Sequence, residues 1–272
     1  MSDETDVIPD ETPSPTMGER LRSPGGRIFV GVFGVFIVMT LILLAFGLWW
    51  PDASMPVTAS NTMKAVKDTM IIFSVAAAPV MALVWAIAYY SLRHWQHSGE
   101  TPPEDGPPIR GNSRVALTWV IVSSILTAFL LIWGLAELTA TTTSSAAEAP
   151  VVIKVTGQQW LWSFQYPQNG NISSHDLYLP VNRPVHFEVT STDVIHSFWL
   201  PEMGIKIDAN PAITTTVDTT PDKIGNFNVR CAELCGLNHS VMQTEVHVLS
   251  KTGYDDWAVS QGGTATTTAS GS

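Results

Sequence analysis

The apolar pattern of this chain divides it into two halves. In the first, three uninterrupted apolar runs occupy 28–50, about 70–92 and about 115–138, with no charged residue before Glu137. Each is long enough for a bilayer-spanning helix, which needs roughly 20 residues. Trp49-Trp50 and Tyr89-Tyr90 lie at run ends, where interfacial aromatics belong, and Pro79 is tolerable as a kink in a membrane helix. From residue 151 the pattern changes to short segments rich in Val, Ile, Thr and aromatics, at 151–156, 160–166, 176–179, 185–190, 195–200, 213–218, 226–230 and 242–249. Pro, Gly, Asn and Asp separate them. This predicts an antiparallel β-sandwich or barrel.

The polar stretches set the boundaries. Residues 1–27 are expected to be a disordered polar tail with a basic flank, and 28–50 an N-terminal membrane helix or a signal sequence. Residues 69–138 form a two-helix transmembrane hairpin, 139–150 a small polar linker, 151–257 the β domain and 258–272 a disordered tail. The run at 28–50 exceeds the roughly 7–15 residues of a signal-peptide core, yet Val57-Thr58-Ala59 before Ser60 has the small residues of a cleavage site, so both readings stay open. Arg20, Arg22 and Arg27 precede the first run and Arg93, Arg110 and Arg114 separate the second from the third, against Lys64 and Lys67 in the intervening loop. That bias places the N-terminus inside and the β domain outside.

Composition sharpens this picture. Only 14% of the 272 residues are charged, and the net charge of −10 argues against a nucleic-acid partner. From residue 151 onward there are 11 acids and 6 Lys/Arg, so the β half is acidic and suits a basic protein partner.

The candidate chemistry is concentrated in Cys231-Ala232-Glu233-Leu234-Cys235-Gly236-Leu237-Asn238-His239-Ser240-Val241-Met242, which holds the chain's only two cysteines. Thiolate, imidazole and thioether donors follow one another at spacings of four, four and three residues, with a further imidazole upstream in Asp193-Val194-Ile195-His196-Ser197-Phe198. Soft sulfur with imidazole is the set copper prefers; one thiolate suits a mononuclear blue site, and two thiolates with a His at each end suit two copper ions sharing an electron. Zinc would also accept Cys2His2, and two buried thiols beside a satisfied histidine would need no metal.

The loop, the His196 segment and Gly157-Gln158-Gln159-Trp160-Leu161-Trp162-Ser163-Phe164-Gln165-Tyr166 together resemble subunit II of haem–copper cytochrome c oxidases, from the second apolar run to about residue 250. The resemblance implies a membrane helical hairpin, with one extra N-terminal helix or leader, followed by a cupredoxin-like sandwich. It implies that His196, Cys231, Cys235, His239 and Met242 bind the binuclear copper centre CuA. Glu233 would add its backbone carbonyl to the copper and its side chain to a magnesium or manganese ion shared with subunit I. Trp160, with Trp162 beside it, would receive electrons from cytochrome c or an equivalent donor; without the family both read as strand residues of a core. Asp193 and Asp208 match acidic positions near the metal and the subunit interface, and Glu202 is a further candidate for meeting a lysine-rich partner. The implied role is the electron-accepting subunit of a respiratory oxidase in a bacterial-type cell membrane, multi-pass, with the β domain on the periplasmic side. It would pass electrons to subunit I, where oxygen is reduced to water, and assemble with other oxidase subunits. The alternatives are a quinol oxidase subunit II and a membrane-anchored copper carrier. The family's usual glutamate three residues before Trp119 is here Ala116, and no Cys-x-x-Cys-His follows the β domain.

Overall fold

The computed structural model describes residues 16–94, 111–142 and 149–265. Parts of the tails, of the 93–114 loop and of the 139–150 linker lie outside them. Each apolar run forms the centre of one helix: α2 (Pro24–Ser54), α3 (Asn61–His94) and α4 (Ser113–Thr142), preceded by the short α1 (Met17–Arg22). All three long helices are apolar and long enough to cross a membrane. Residues 17–22 and 24–27 are helical rather than disordered. Ser23 starts α2 by accepting the Gly26 N–H at 3.1 Å, with Pro24 in the first-turn position that its fixed φ favours.

The described residues fall into two units, one within 1–49 and 74–111, the other within 50–73 and 112–272. In the first unit, Gly31 of α2 faces the ring of Tyr90 on α3, a close approach that small residues permit between membrane helices.

Among the described residues, the second unit contains ten strands. They are β1 (Val151–Gln158), β2 (Leu161–Tyr166), β3 (Ile172–Ser174), β4 (Leu177–Pro180), β5 (Val185–Ser191), β6 (His196–Leu200), β7 (Ile205–Ala209), β8 (Thr215–Thr219), β9 (Gly225–Cys231) and β10 (Gln243–Leu249). Two five-stranded sheets, ordered β3-β2-β1-β5-β8 and β4-β10-β9-β6-β7, make a sandwich. It is not purely antiparallel: β1 pairs parallel with β5, and β4 with β10. The intervening strands supply the long crossover that parallel neighbours need. Strict alternation places Val151, Ile153 and Val155 of β1 and Val185, Phe187 and Val189 of β5 in the core. There Phe198 of β6 meets Trp162, Phe187 and Phe164 at ring separations of 5.5, 5.3 and 6.2 Å. Burying one such ring contributes about 2–3 kcal/mol.

Two segments join the sandwich that periodicity did not place there. Residues 59–63 bind as an edge piece: Ala59 N–H donates to Glu202 O at 2.9 Å, Asp222 N–H to Ala59 O at 3.1 Å, and Asn61 N–H to Thr220 O at 3.2 Å. Ser60 is wholly buried, its hydroxyl donating to Met203 O at 2.8 Å and accepting the Met63 N–H at 3.1 Å, which caps α3 eight residues before the expected start at 69. Gly204, at φ +63°, permits this approach, since a Cβ there would lie 2.8 Å from Met63 Cα. The small-residue motif before Ser60 thus ends in a packed joint.

The second is α5 (Lys251–Ser260), capped by Ser250 Oγ accepting the Gly253 N–H at 3.1 Å. Trp257 stacks on Tyr178 at 4.2 Å, the Tyr254 hydroxyl donates to Asn169 Oδ1 at 3.0 Å, and Thr264 N–H reaches Asn169 O at 3.3 Å. Residues 258–265 are therefore ordered, not tail. Gly253 and Thr252 weaken the helical signal, and the aromatic packing compensates.

Candidate metal centre

Three segments deliver the donors. Cys231 ends β9, His196 begins β6, and β6 and β9 pair through Phe198 opposite Cys231. Hydrogen bonds from Cys231 N–H to Met242 O (3.0 Å) and from Ala232 N–H to Ser197 O (3.0 Å) close the loop at both ends. A single 3-10 turn, His239–Val241, lifts His239 and Met242 back toward Cys235.

The donor atoms converge. Cys231 Sγ lies 3.8 Å from Cys235 Sγ and 3.9 Å from His196 Nδ1. Cys235 Sγ is 3.6 Å from His239 Nδ1 and 3.7 Å from Met242 Sδ, and the Cys231 thiol donates to Glu233 O at 3.3 Å. The donors of His196, Cys231 and Cys235 all fall within 4.8 Å of one another. Both cysteines are free, buried and much too far apart for an S–S bond. Burial and the neighbouring Cys231 push the Cys235 thiol up to about 11, and its proton must leave for a soft cation to bind. The arrangement, two sulfurs between two imidazoles with a thioether and a carbonyl at the margins, fits copper.

His196 is wholly buried, and its Nε2 meets Asp193 Oδ1 at 2.8 Å. That bond fixes the tautomer and leaves Nδ1 facing Cys231. Asp193 also accepts the Gln159 N–H at 2.7 Å and the Val194 N–H at 2.6 Å. Partial burial opposes its ionisation, but these hydrogen bonds and the His196 contact outweigh it and hold the carboxyl down at about 2.

The two tryptophans are placed differently. Trp162 is core, 6.0 Å from the His196 ring. Trp160 lies in the turn between β1 and β2, half-buried, and packs against Gly236. A Cβ on Gly236, at φ +123°, would come within 2.9 Å of Gln159 Nε2 and 3.3 Å of the Trp160 ring, so only glycine lets the turn lie on the copper loop. The indole N–H groups of both tryptophans are buried without a partner. The Glu233 side chain is exposed, and Glu202 accepts the Asn228 N–H at 3.2 Å and the Asn228 side-chain amide at 2.7 Å. Asp208 pairs across from Ser197 in β7. Gln159 carried no assignment from sequence; its side chain donates to Cys235 O at 2.7 Å, a link across 76 positions that no local pattern announces.

Residues 172–249 match the family described as cytochrome c oxidase subunit II, periplasmic domain. A cytochrome c oxidase subunit 2 from Alkalihalophilus pseudofirmus is 34% identical over 71% of this chain and 57% of its own length. The chain belongs to the cytochrome c oxidase subunit II family. A second member, from Thermostichus vulcanus, is 28% identical over 81% of this chain and 82% of its own length. Among solved structures, the periplasmic domain of subunit II of cytochrome oxidase from Bradyrhizobium japonicum is 33% identical, with a TM-score of 0.41, covering 42% of this chain and 95% of that one. The chain spans little more than half the length of the first of these subunit II relatives.

Proposed function

We propose that this subunit II is the electron-accepting subunit of a respiratory cytochrome c oxidase, anchored by its apolar helices with the sandwich on the periplasmic side. One observation carries the reading: two thiols, two imidazoles and a thioether converge at 3.6–3.9 Å, with a tryptophan turn lying on the same loop. His196, Cys231, Cys235, His239, Met242 and the Glu233 carbonyl would hold two copper ions, which when bound take up and release one shared electron. The chain's own contribution is a scaffold that moves little. Strands β6 and β9 fix His196 and Cys231, Asp193 fixes the imidazole, and the core ring of Trp162 excludes water behind it.

Trp160 is the residue that would accept electrons from cytochrome c or an equivalent donor. Its ring lies half-buried against Gly236 of the donor loop, between that loop and the surface. Trp162 supports it from the core. Val194, Ile195, Leu234, Leu237 and Val241 are exposed on the segments that carry the donors, and Leu161 is exposed beside Trp160, apolar side chains suited to protein partners. Asp208 and Glu202 would contribute to the encounter with a basic donor. The exposed Glu233 carboxylate would serve a magnesium or manganese ion shared with subunit I, the chain to which electrons pass for reduction of oxygen to water.

The test is to purify the full chain in detergent, load it with copper, and count copper and unpaired electrons. Two coppers per chain sharing one delocalised electron support the reading. No bound metal favours a quinol oxidase subunit, and a single labile Cu(I) favours a carrier. A Cys235→Ser chain that keeps the two-copper spectrum would remove the bridging role.

A further inference from the structure

We infer that Gln159 is a positioning residue that clasps the Trp160 turn to the copper loop and keeps that loop formed before metal arrives. The inference rests on the copper reading above for its use, but the clasp is a property of the chain alone. Between β1 and β2 the chain turns through Gln159 and Trp160. The Gln159 backbone N–H donates to Asp193 Oδ2 at 2.7 Å, and the other oxygen of that carboxylate meets His196 Nε2 at 2.8 Å. The Gln159 side-chain amide donates to the Cys235 carbonyl at 2.7 Å. One residue therefore touches both halves of the site, 34 and 76 positions away in sequence.

The copper loop needs such a tie. Between Cys231 and the 3-10 turn at His239 it has no regular structure, and Leu234 and Leu237 are 78% and 90% exposed, so apolar burial on those side chains does not hold it. Gly236 leaves the space through which the amide and the Trp160 ring approach. Among the described residues, the Gln159 amide is the hydrogen-bond donor to the Cys235 carbonyl. A hydrogen bond of ordinary net strength shifts a local opening equilibrium by about threefold to tenfold. Fixing Cys235 this way would also fix the distance between the sulfur and the aromatic turn.

The experiment uses the full chain in detergent, unmodified and as Gln159→Leu and Gln159→Glu. Leucine removes the donor at similar volume, and glutamate replaces it with an acceptor facing a carbonyl. In the metal-free protein, hydrogen exchange of peptides spanning 232–238 should quicken about threefold to tenfold in both variants, while exchange in β5 and the thermal midpoint stay unchanged. After copper loading, both variants should lose copper to bathocuproine disulfonate faster by a similar factor, with a shifted thiolate-to-copper absorption band. Unchanged exchange, copper loss and band in both variants would overturn the clasp. So would a lowered midpoint with faster exchange throughout the sandwich, the mark of a general structural role. If Gln159→Leu does not fold, Gln159→Glu carries the same comparison. An unmodified chain that binds no copper defeats the proposed function and leaves the metal-free exchange result to decide the clasp.

Discussion

The two ends of the candidate copper site are built on different principles. His196 is fully buried at the start of a central strand, bonded to a carboxylate and backed by Trp162. His239 sits half-buried on a 3-10 turn between the exposed Leu237 and Val241, and among the described residues no carboxylate is bonded to it. One end is part of the domain core; the other is displayed on its surface. The electron-transfer role proposed above would need both, a rigid end and an accessible one.

The largest test of this contrast is a pair of truncations in the metal-free chain. His196→Ala should cost about 3 kcal/mol, since it opens a core cavity and leaves the Asp193 carboxylate without its imidazole. His239→Ala should cost no more than about 0.5 kcal/mol at its half-exposed turn. Both should impair copper binding. Chemical denaturation of the two variants checks this, and equal losses would erase the contrast.

Asp193→Asn acts on the buried end alone. Copper affinity should fall about tenfold to a hundredfold, the usual effect of losing a carboxylate behind a ligating imidazole, as read by competition with a Cu(I) chelator. Gly204→Ala is the control at a distance: at φ +63°, with a Cβ 2.8 Å from Met63 Cα, it should cost about 1–2 kcal/mol and loosen residues 59–63. Copper stoichiometry should not change. Hydrogen exchange and metal analysis on the same sample decide it.

Changing pH probes the same contrast without a substitution. The carboxyl of Asp193 is held at about 2 against an ordinary 3.8, so its contribution to stability is present above about 3.8 and is lost as pH falls toward 2. Cys235 is raised from 9.0 to about 11, so its contribution is present below 9.0 and is lost as pH rises toward 11. The metal-free protein should thus weaken at its buried end in acid and at its loop in alkali. Denaturation midpoints against pH, compared with Asp193→Asn and Cys235→Ser, should flatten the acid limb in the first and the alkaline limb in the second.

What the sequence determined by itself was whatever depends on near neighbours. Three apolar runs of spanning length, the change to period two at residue 151, and donors spaced along 231–242 are all local patterns, and the helices, the sandwich and the converging donors follow from them. Short β3 and β7, the parallel pairings β1–β5 and β4–β10, and α5 were hidden, because their stability comes from partners far along the chain. The same reason hid the docking of 59–63, whose polar residues look like loop until Glu202, Thr220 and Asp222 meet them. At the site, only the tertiary structure decided which nitrogen of His196 faces sulfur, which tryptophan is core, and that Gln159 reaches Cys235. Ligand spacing is written in one loop, but ligand orientation is set by hydrogen bonds that arrive from two others.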